Sequence, residues 1–142
     1  MKYSTIQRTI TLSTLMAGAF VASASADDPI RIGVLEDQSG NFAAVTQAKV
    51  SAIELAAEEI NGAGGIAGRE VELVVYDTQS DDRRYQELMR RVLQRDQVDT
   101  VFAGFASSSR EAYRPIVNQF DGLAFYNNQY EGGVCDANMI VT

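Results

Sequence analysis

An α/β fold built on one open, doubly wound parallel sheet, with strand order 2-1-3-4-5, is the architecture this sequence predicts, and three observations predict it. Apolar runs of strand length alternate with segments of helical period from Ile30 onward, the pattern of parallel strands joined by crossover helices. No internal repeat or low-complexity linker breaks the alternation. Right-handed crossovers then place helices on both faces of a single sheet.

The elements follow in order. Ile30 to Leu35 (IRIGVL) reads as the first strand, and Phe42 to Ile60 as the first helix, with Val45, Ala48, Ala52, Leu55, Ala56 and Ile60 at spacings of three and four and Ser39 or Asn41 as cap. Val71 to Tyr76 (VELVVY) is the second strand. The second helix runs from Asp82 to Gln94, capped by Asp81, with Tyr85, Leu88, Met89 and Val92 on one face. Thr100 to Ala103 is the third strand and Ser109 to Phe120 the third helix, in which Pro115 is expected to shorten or bend the last turns. Leu123 to Tyr126 is the fourth strand, and a fifth begins at Met139.

Ahead of the first strand, Lys2 and Arg8 precede the apolar stretch Ile10 to Phe20, and Ala24-Ser25-Ala26 follows. This is the order of a secretory signal peptide cleaved after Ala26. The stretch falls short of the roughly 20 residues a spanning helix needs, so no membrane insertion is expected after cleavage. Removing residues 1 to 26 leaves 116 residues and takes the formal charge from -7 to -9. An acidic exported domain is a poor partner for nucleic acid or anionic membranes. With no His and a single Cys, Cys135, the chain can form neither a His/Cys zinc site nor an internal disulfide. No cofactor is expected, and Cys135 is expected to be buried or paired outside this sequence. The end at "NMIVT", just as a strand begins, leads us to expect a piece of a longer protein.

In open doubly wound sheets, ligands sit outside the carboxyl ends of the strands, where the strand order reverses. Four loops reach that edge: EDQSGN (36 to 41), TQSD (78 to 81), GFASSS (104 to 109) and NNQYEGG (127 to 133). In the third, a glycine ends a strand and three serines lead into a helix whose first amides lack partners. Such a turn favours a carboxylate or a neutral carbonyl. A serine acting only as helix cap is the plainer alternative.

Other patterns carry less. GAGGIA (62 to 67) has dinucleotide-fingerprint spacing, but it follows a helix and precedes a strand, so Gly62, Gly64 and Gly65 are helix-stop and turn residues. Glu36 and Asp37 resemble the acidic pair of a receiver domain, yet the third strand ends in Gly104 and Phe105 instead of an aspartate. GFASSS lacks the glycine of a nucleophile elbow, and no His is present to serve as a base. Enzyme activity is not expected. The DDRRYQELMRR cluster reads as a solvated helix face with internal ion pairs.

Together, IRIGVLEDQSG, NGAGGIAGREVELVVYDTQSD, GFASSSREAYRP and FYNNQYEGG resemble the N-terminal lobe of a type I periplasmic binding protein, specifically the amide- and urea-binding relatives of the leucine/isoleucine/valine-binding proteins that serve ABC importers. The resemblance covers residues 29 to 142 and leaves the second lobe absent. It implies a periplasmic receptor for a small solute, most simply a short-chain amide or urea and secondarily a branched-chain amino acid, delivered to an ABC permease. It implies ligand contacts at Ser107, with Ala106 as backbone neighbour, and at Tyr126, Asn128 and Tyr130. Phe105, Ser108, Glu131, Ser39 and Gly40 would stand at the pocket edge. Asn128 occupies a position where a threonine stands in an amide binder. Two alternatives stay open: an exported sensing domain that signals to a membrane partner, and a nonfunctional fragment.

Overall fold

The computed structural model describes residues 28–142 except Val134. The signal peptide expected over residues 1 to 26 lies outside the described residues. The element order is β1 (Ile30–Glu36), α1 (Ala43–Gly62), β2 (Val71–Asp77), α2 (Asp82–Gln94), β3 (Thr100–Ala103), α3 (Ser107–Gln119), β4 (Ala124–Tyr126) and β5 (Met139–Val141). All five strands are parallel, in the order β2-β1-β3-β4-β5. The predicted sheet and its order are therefore both present.

Alternation along the strands divides the sheet between two unequal layers. On one face Leu35, Val101, Ala103, Ala124, Tyr126 and Met139 meet Tyr85, Leu88, Met89 and Val92 of α2 and Tyr113, Ile116 and Val117 of α3, forming the main core. The apolar positions of α2 face inward as their spacing predicts. On the other face α1 lies over β1 and β2, leaving an apolar cavity of about 170 Å³ lined by Ile32, Ile53, Ile60, Leu73 and Phe102. Farther along that face Phe102 and Phe125 stack at 5.1 Å, and Ile140 is exposed.

The structure turns α1 differently from the expected orientation. Val45 and Leu55 are exposed, as are Ala48, Ala52 and Ala56, whereas Thr46, Val50 and Ala57 are buried. Both stripes recur at helical spacing. The inward one was disguised by Thr46 and Lys49, polar residues whose partners lie in the loops. Neither Ser39 nor Asn41 caps α1; Phe42 holds the N-cap position without a side-chain bond. Ser39 turns instead to Asp77, donating its hydroxyl to Oδ2 at 2.6 Å.

Other differences are local. Asp81 caps α2 as expected, accepting from the Arg84 amide at 2.9 Å. The internal ion pairs expected in α2 are absent among the described residues: Arg84 donates to the Asp77 carbonyl at 2.7 Å, and Arg91 approaches Asp96 beyond the helix. Pro115 is accommodated inside α3, which continues to Gln119. The glycine-rich segment is the turn predicted, with the Gly65 amide bonded to the Ile60 carbonyl at 2.9 Å. Cys135 is exposed rather than buried, because it lies in the irregular segment between β4 and β5. Among the described residues no helix is long and apolar enough to cross a membrane.

Candidate functional site

Every loop predicted at the ligand edge follows the carboxyl end of a strand, and side-chain bonds tie them in pairs. β1 delivers Glu36 and Asp37, both buried. Asp37 Oδ1 accepts from the Thr78 hydroxyl at 2.5 Å, the Ser80 amide at 2.8 Å and the Tyr85 hydroxyl at 3.1 Å. Asp77 Oδ1 accepts from the amides of Gln38, Ser39 and Gln79. The first two loops thus share one hydrogen-bonded frame. Burial pushes the Asp77 carboxyl up, but the Ser39 hydroxyl and these three amides outweigh it and hold the group below its ordinary value. Gly40 sits at φ 87° with its α-carbon against Gln79, where a Cβ would come 2.5 Å from a carbonyl oxygen.

The serine turn is built around Gly104, at φ 87°, and the ring of Tyr113 behind it. Tyr113 donates to the Ala103 carbonyl at 2.9 Å, and burial pushes its phenol up, so it stays neutral. Helix α3 begins at Ser107, not Ser109, and Ala106 occupies the N-cap with no side-chain cap bond. A serine acting as cap is therefore not what the turn contains. Ser109 is buried and donates to Asp82 at 3.0 Å, Ser107 donates to Glu131 Oε1, and Ser108 is exposed. The amides of the first turn are left without intrahelical partners at the positive end of the helix dipole.

The fourth loop is tied to the third through one carbonyl. Phe105 O accepts from the Tyr126 hydroxyl at 2.8 Å and from Asn128 Nδ2 at 2.5 Å. Tyr126 is 1% exposed, so it forms a wall behind the turn while its hydroxyl is spent on the scaffold. Arg110, which sequence reasoning passed over, is 2% exposed and acts as the clamp. Its Nη2 donates to the Glu131 carbonyl at 3.0 Å, and its guanidinium lies 4.9 Å from the Tyr126 ring and 5.3 Å from that of Tyr130. The adjacency of "SSSR" to a tyrosine-rich loop was the only available signal. Phe105 packs on Phe42 at 5.0 Å, joining the turn to the start of α1.

The predicted residues thus divide. Ser107, Ser108, Asn128, Tyr130 and Glu131 gather around the start of α3, with Ala106 and Phe105 as backbone, and Tyr126 stands beneath. Ser39 and Gly40 are exposed on the neighbouring loop. The arrangement is an open shelf; a cavity of about 510 Å³ lies elsewhere, along α2, lined by Tyr76, Arg84, Arg91 and Arg95. Among the described residues no group of His, Cys, Asp or Glu is arranged to hold a metal. Chemically, the shelf offers amides without intrahelical partners, hydroxyls and one exposed carboxylate, which suits hydrogen-bonded recognition of a small polar group.

Comparison with known proteins agrees with the fold. Residues 29–142 match the model of a family described as periplasmic binding protein. The Leu/Ile/Val-binding protein homolog 7 of Brucella melitensis is 33% identical over 117 residues, 82% of this chain and 28% of that protein. The structure is similar to that of the substrate binding protein LivJ of Streptococcus pneumoniae, solved with isoleucine, at TM-score 0.74 and 24% identity over 80% of this chain and 33% of that one. It is also similar to the leucine binding protein LivK of Thermotoga maritima, at TM-score 0.62 and 25% identity over 68% of this chain and 27% of that one. The chain spans about a quarter to a third of the length of these relatives. On the family match across nearly all its described residues, the chain belongs to the periplasmic binding protein family.

Proposed function

We propose that this chain is the solute-selecting N-terminal lobe of the receptor of an ABC importer, exported to the periplasm, and that its solute is a small amino acid with an apolar side chain. The observation that carries the reading is the open start of α3, where Ala106 leaves the N-cap position without a side-chain bond. A carboxylate docks on such amides, and the Ser107 and Ser108 hydroxyls flank it. Glu131, within hydrogen-bond reach of Ser107, supplies the negative charge that an ammonium group needs. The names of the relatives, which refer to leucine, isoleucine and valine, support this class.

A short-chain amide or urea is the second reading. Glu131 and the Asn128 amide accept NH2 groups as readily as an ammonium, but the names of the relatives given above refer to branched-chain amino acids. A single lobe leaves one side of the solute wet, so binding by this chain alone is expected to be weak.

The test is titration of the isotope-labelled chain with leucine, isoleucine, valine, acetamide and urea, followed through the amide resonances of Ser107, Ser108 and Ser109. Saturable shifts with the amino acids, lost in Glu131→Gln, are the expected result. Shifts with acetamide or urea alone would transfer the assignment to the second reading. A folded chain whose α3 amides respond to none of the five refutes the lobe as a solute-selecting surface.

A further inference from the structure

Lys49 enters the site from beneath. It projects from the second turn of α1 onto the end of β1, where Nζ lies 2.5 Å from Glu36 Oε1, and it donates to the Gly104 carbonyl at 3.0 Å. The Glu36 side chain is fully buried and that of Lys49 is 16% exposed. Apart from the lysine contact, neither carboxylate oxygen of Glu36 has a hydrogen-bond partner among the described residues.

Stability does not explain this arrangement. Desolvating both charges opposes their attraction, and an apolar pair of similar volume commonly serves a core as well or better. Burial pushes the Glu36 carboxyl up, with Lys49 opposing the shift. What the pair does uniquely is grip one peptide group. Gly104 is the hinge of the serine turn: its amide is bonded to the Leu35 carbonyl at 3.1 Å, and its positive φ sends the chain toward Ala106 and the start of α3. Fixing the carbonyl on its other side fixes the peptide plane from which the α3 amides are aimed.

We propose that Lys49, held by Glu36, is a positioning residue for the solute site, orienting the Gly104 peptide and with it the amide end of α3. The inference deepens the proposed function and rests on that reading for its biological meaning. Its mechanical content is independent of any solute. Among the described residues the polar partners of Lys49 are the Gly104 carbonyl and Glu36, so its influence on a solute is exerted through the turn.

The experiment compares the chain with Glu36→Gln and with the double variant Glu36→Gln/Lys49→Met. Melting temperature is recorded together with backbone N–H order parameters from Gly104 to Ser108. Glu36→Gln removes the buried charge and retains an oxygen facing the lysine, so the turn is expected to keep order parameters of about 0.85. The double variant removes both charges and should melt as a folded protein, but with the turn falling below about 0.6 and its amide shifts displaced. A double variant whose turn keeps wild-type order overturns the proposal. So does equal loosening in Glu36→Gln, because Lys49 would then still be present to hold the carbonyl. A chain that binds none of the tested solutes defeats the proposed function but leaves this comparison readable.

Discussion

Phe105 O is shared by two donors, the Tyr126 hydroxyl at 2.8 Å and Asn128 Nδ2 at 2.5 Å, and sharing makes their loss non-additive. Tyr126→Phe deletes one hydroxyl while keeping the buried ring that Arg110 covers. The carbonyl still accepts from Asn128, so the cost is one net hydrogen bond, about 0.5–1.5 kcal/mol. Asn128→Ala costs a similar amount, because Tyr126 then satisfies the same oxygen. In the double variant neither donor is left. The half-buried carbonyl must find water or stay unpaired, and an unmet buried acceptor adds about 1–3 kcal/mol. The coupling energy is therefore expected at about 1 kcal/mol or more, in the destabilising direction.

Urea melts of the four proteins, extrapolated linearly, measure all the corners of this cycle. Two-state behaviour is checked by following far-ultraviolet circular dichroism and tyrosine fluorescence together. A double variant whose cost equals the sum of the singles within about 0.5 kcal/mol refutes the reasoning. It would mean that water reaches the carbonyl freely and that the third and fourth loops are held independently.

Three further outcomes follow from the same geometry. Gly104→Ala forces a Cβ to 3.2 Å from the Tyr113 ring at a φ of 87°, so destabilisation of about 1–3 kcal/mol is expected in denaturant melts; a neutral substitution would mean that the turn relaxes easily. On α1, Leu55→Ala is expected to stay within about 0.5 kcal/mol of wild type while Val50→Ala costs about 1–2 kcal/mol, since only Val50 is buried; the reverse ranking would restore the face that periodicity first suggested. Stability should also depend on pH with opposite signs at different carboxyls. Glu36 is raised above its ordinary 4.5, so its favourable contribution is present below that value and is lost as pH rises through the folded value. Asp77 and Asp136 are lowered from 3.8, so their contributions hold above 3.8 and are lost as pH falls through the folded values. Stability of Glu36→Gln relative to wild type should therefore rise between pH 4 and 7, and a difference independent of pH would contradict the burial of an ionising Glu36.

The parts of this fold that read directly from sequence are those set by one-sided burial. The α2 positions Tyr85, Leu88, Met89 and Val92 have no competing apolar stripe, and they are buried as their spacing indicates. The single parallel sheet followed from the alternation of strands and helices, and the ligand edge from the order common to such sheets. Helix α1 failed because alanine-rich helices carry two plausible faces. Its inward face contains Thr46 and Lys49, each of which bonds to a distant carbonyl, 9 and 55 residues away in sequence. The same limit hid the site's machinery. Serines could be seen, but whether Ser107 capped α3 or opened it depended on the backbone at Ala106. Arg110 looked like one more charge on a basic helix until the loop after β4 folded over it.

These hidden residues share a physical role. On the proposed function, one lobe must hold its half of the binding surface while another closes over the solute, and any ordering left until binding subtracts from affinity. Hydroxyls and free amides on a loose turn would therefore bind poorly however well chosen. The frame around Asp37 and Asp77 ties the first loop to the second, Lys49 ties α1 and β1 to the third, and Arg110 with Phe105 O ties the third to the fourth. Each of these contacts spends a polar group on backbone or loop instead of on the solute. What stays uncommitted among the described residues is the short first turn of α3, whose amides have no intrahelical partners. With the loops around that turn tied to one another, its first amides, which lack intrahelical partners, are on the proposed function the natural place for a solute.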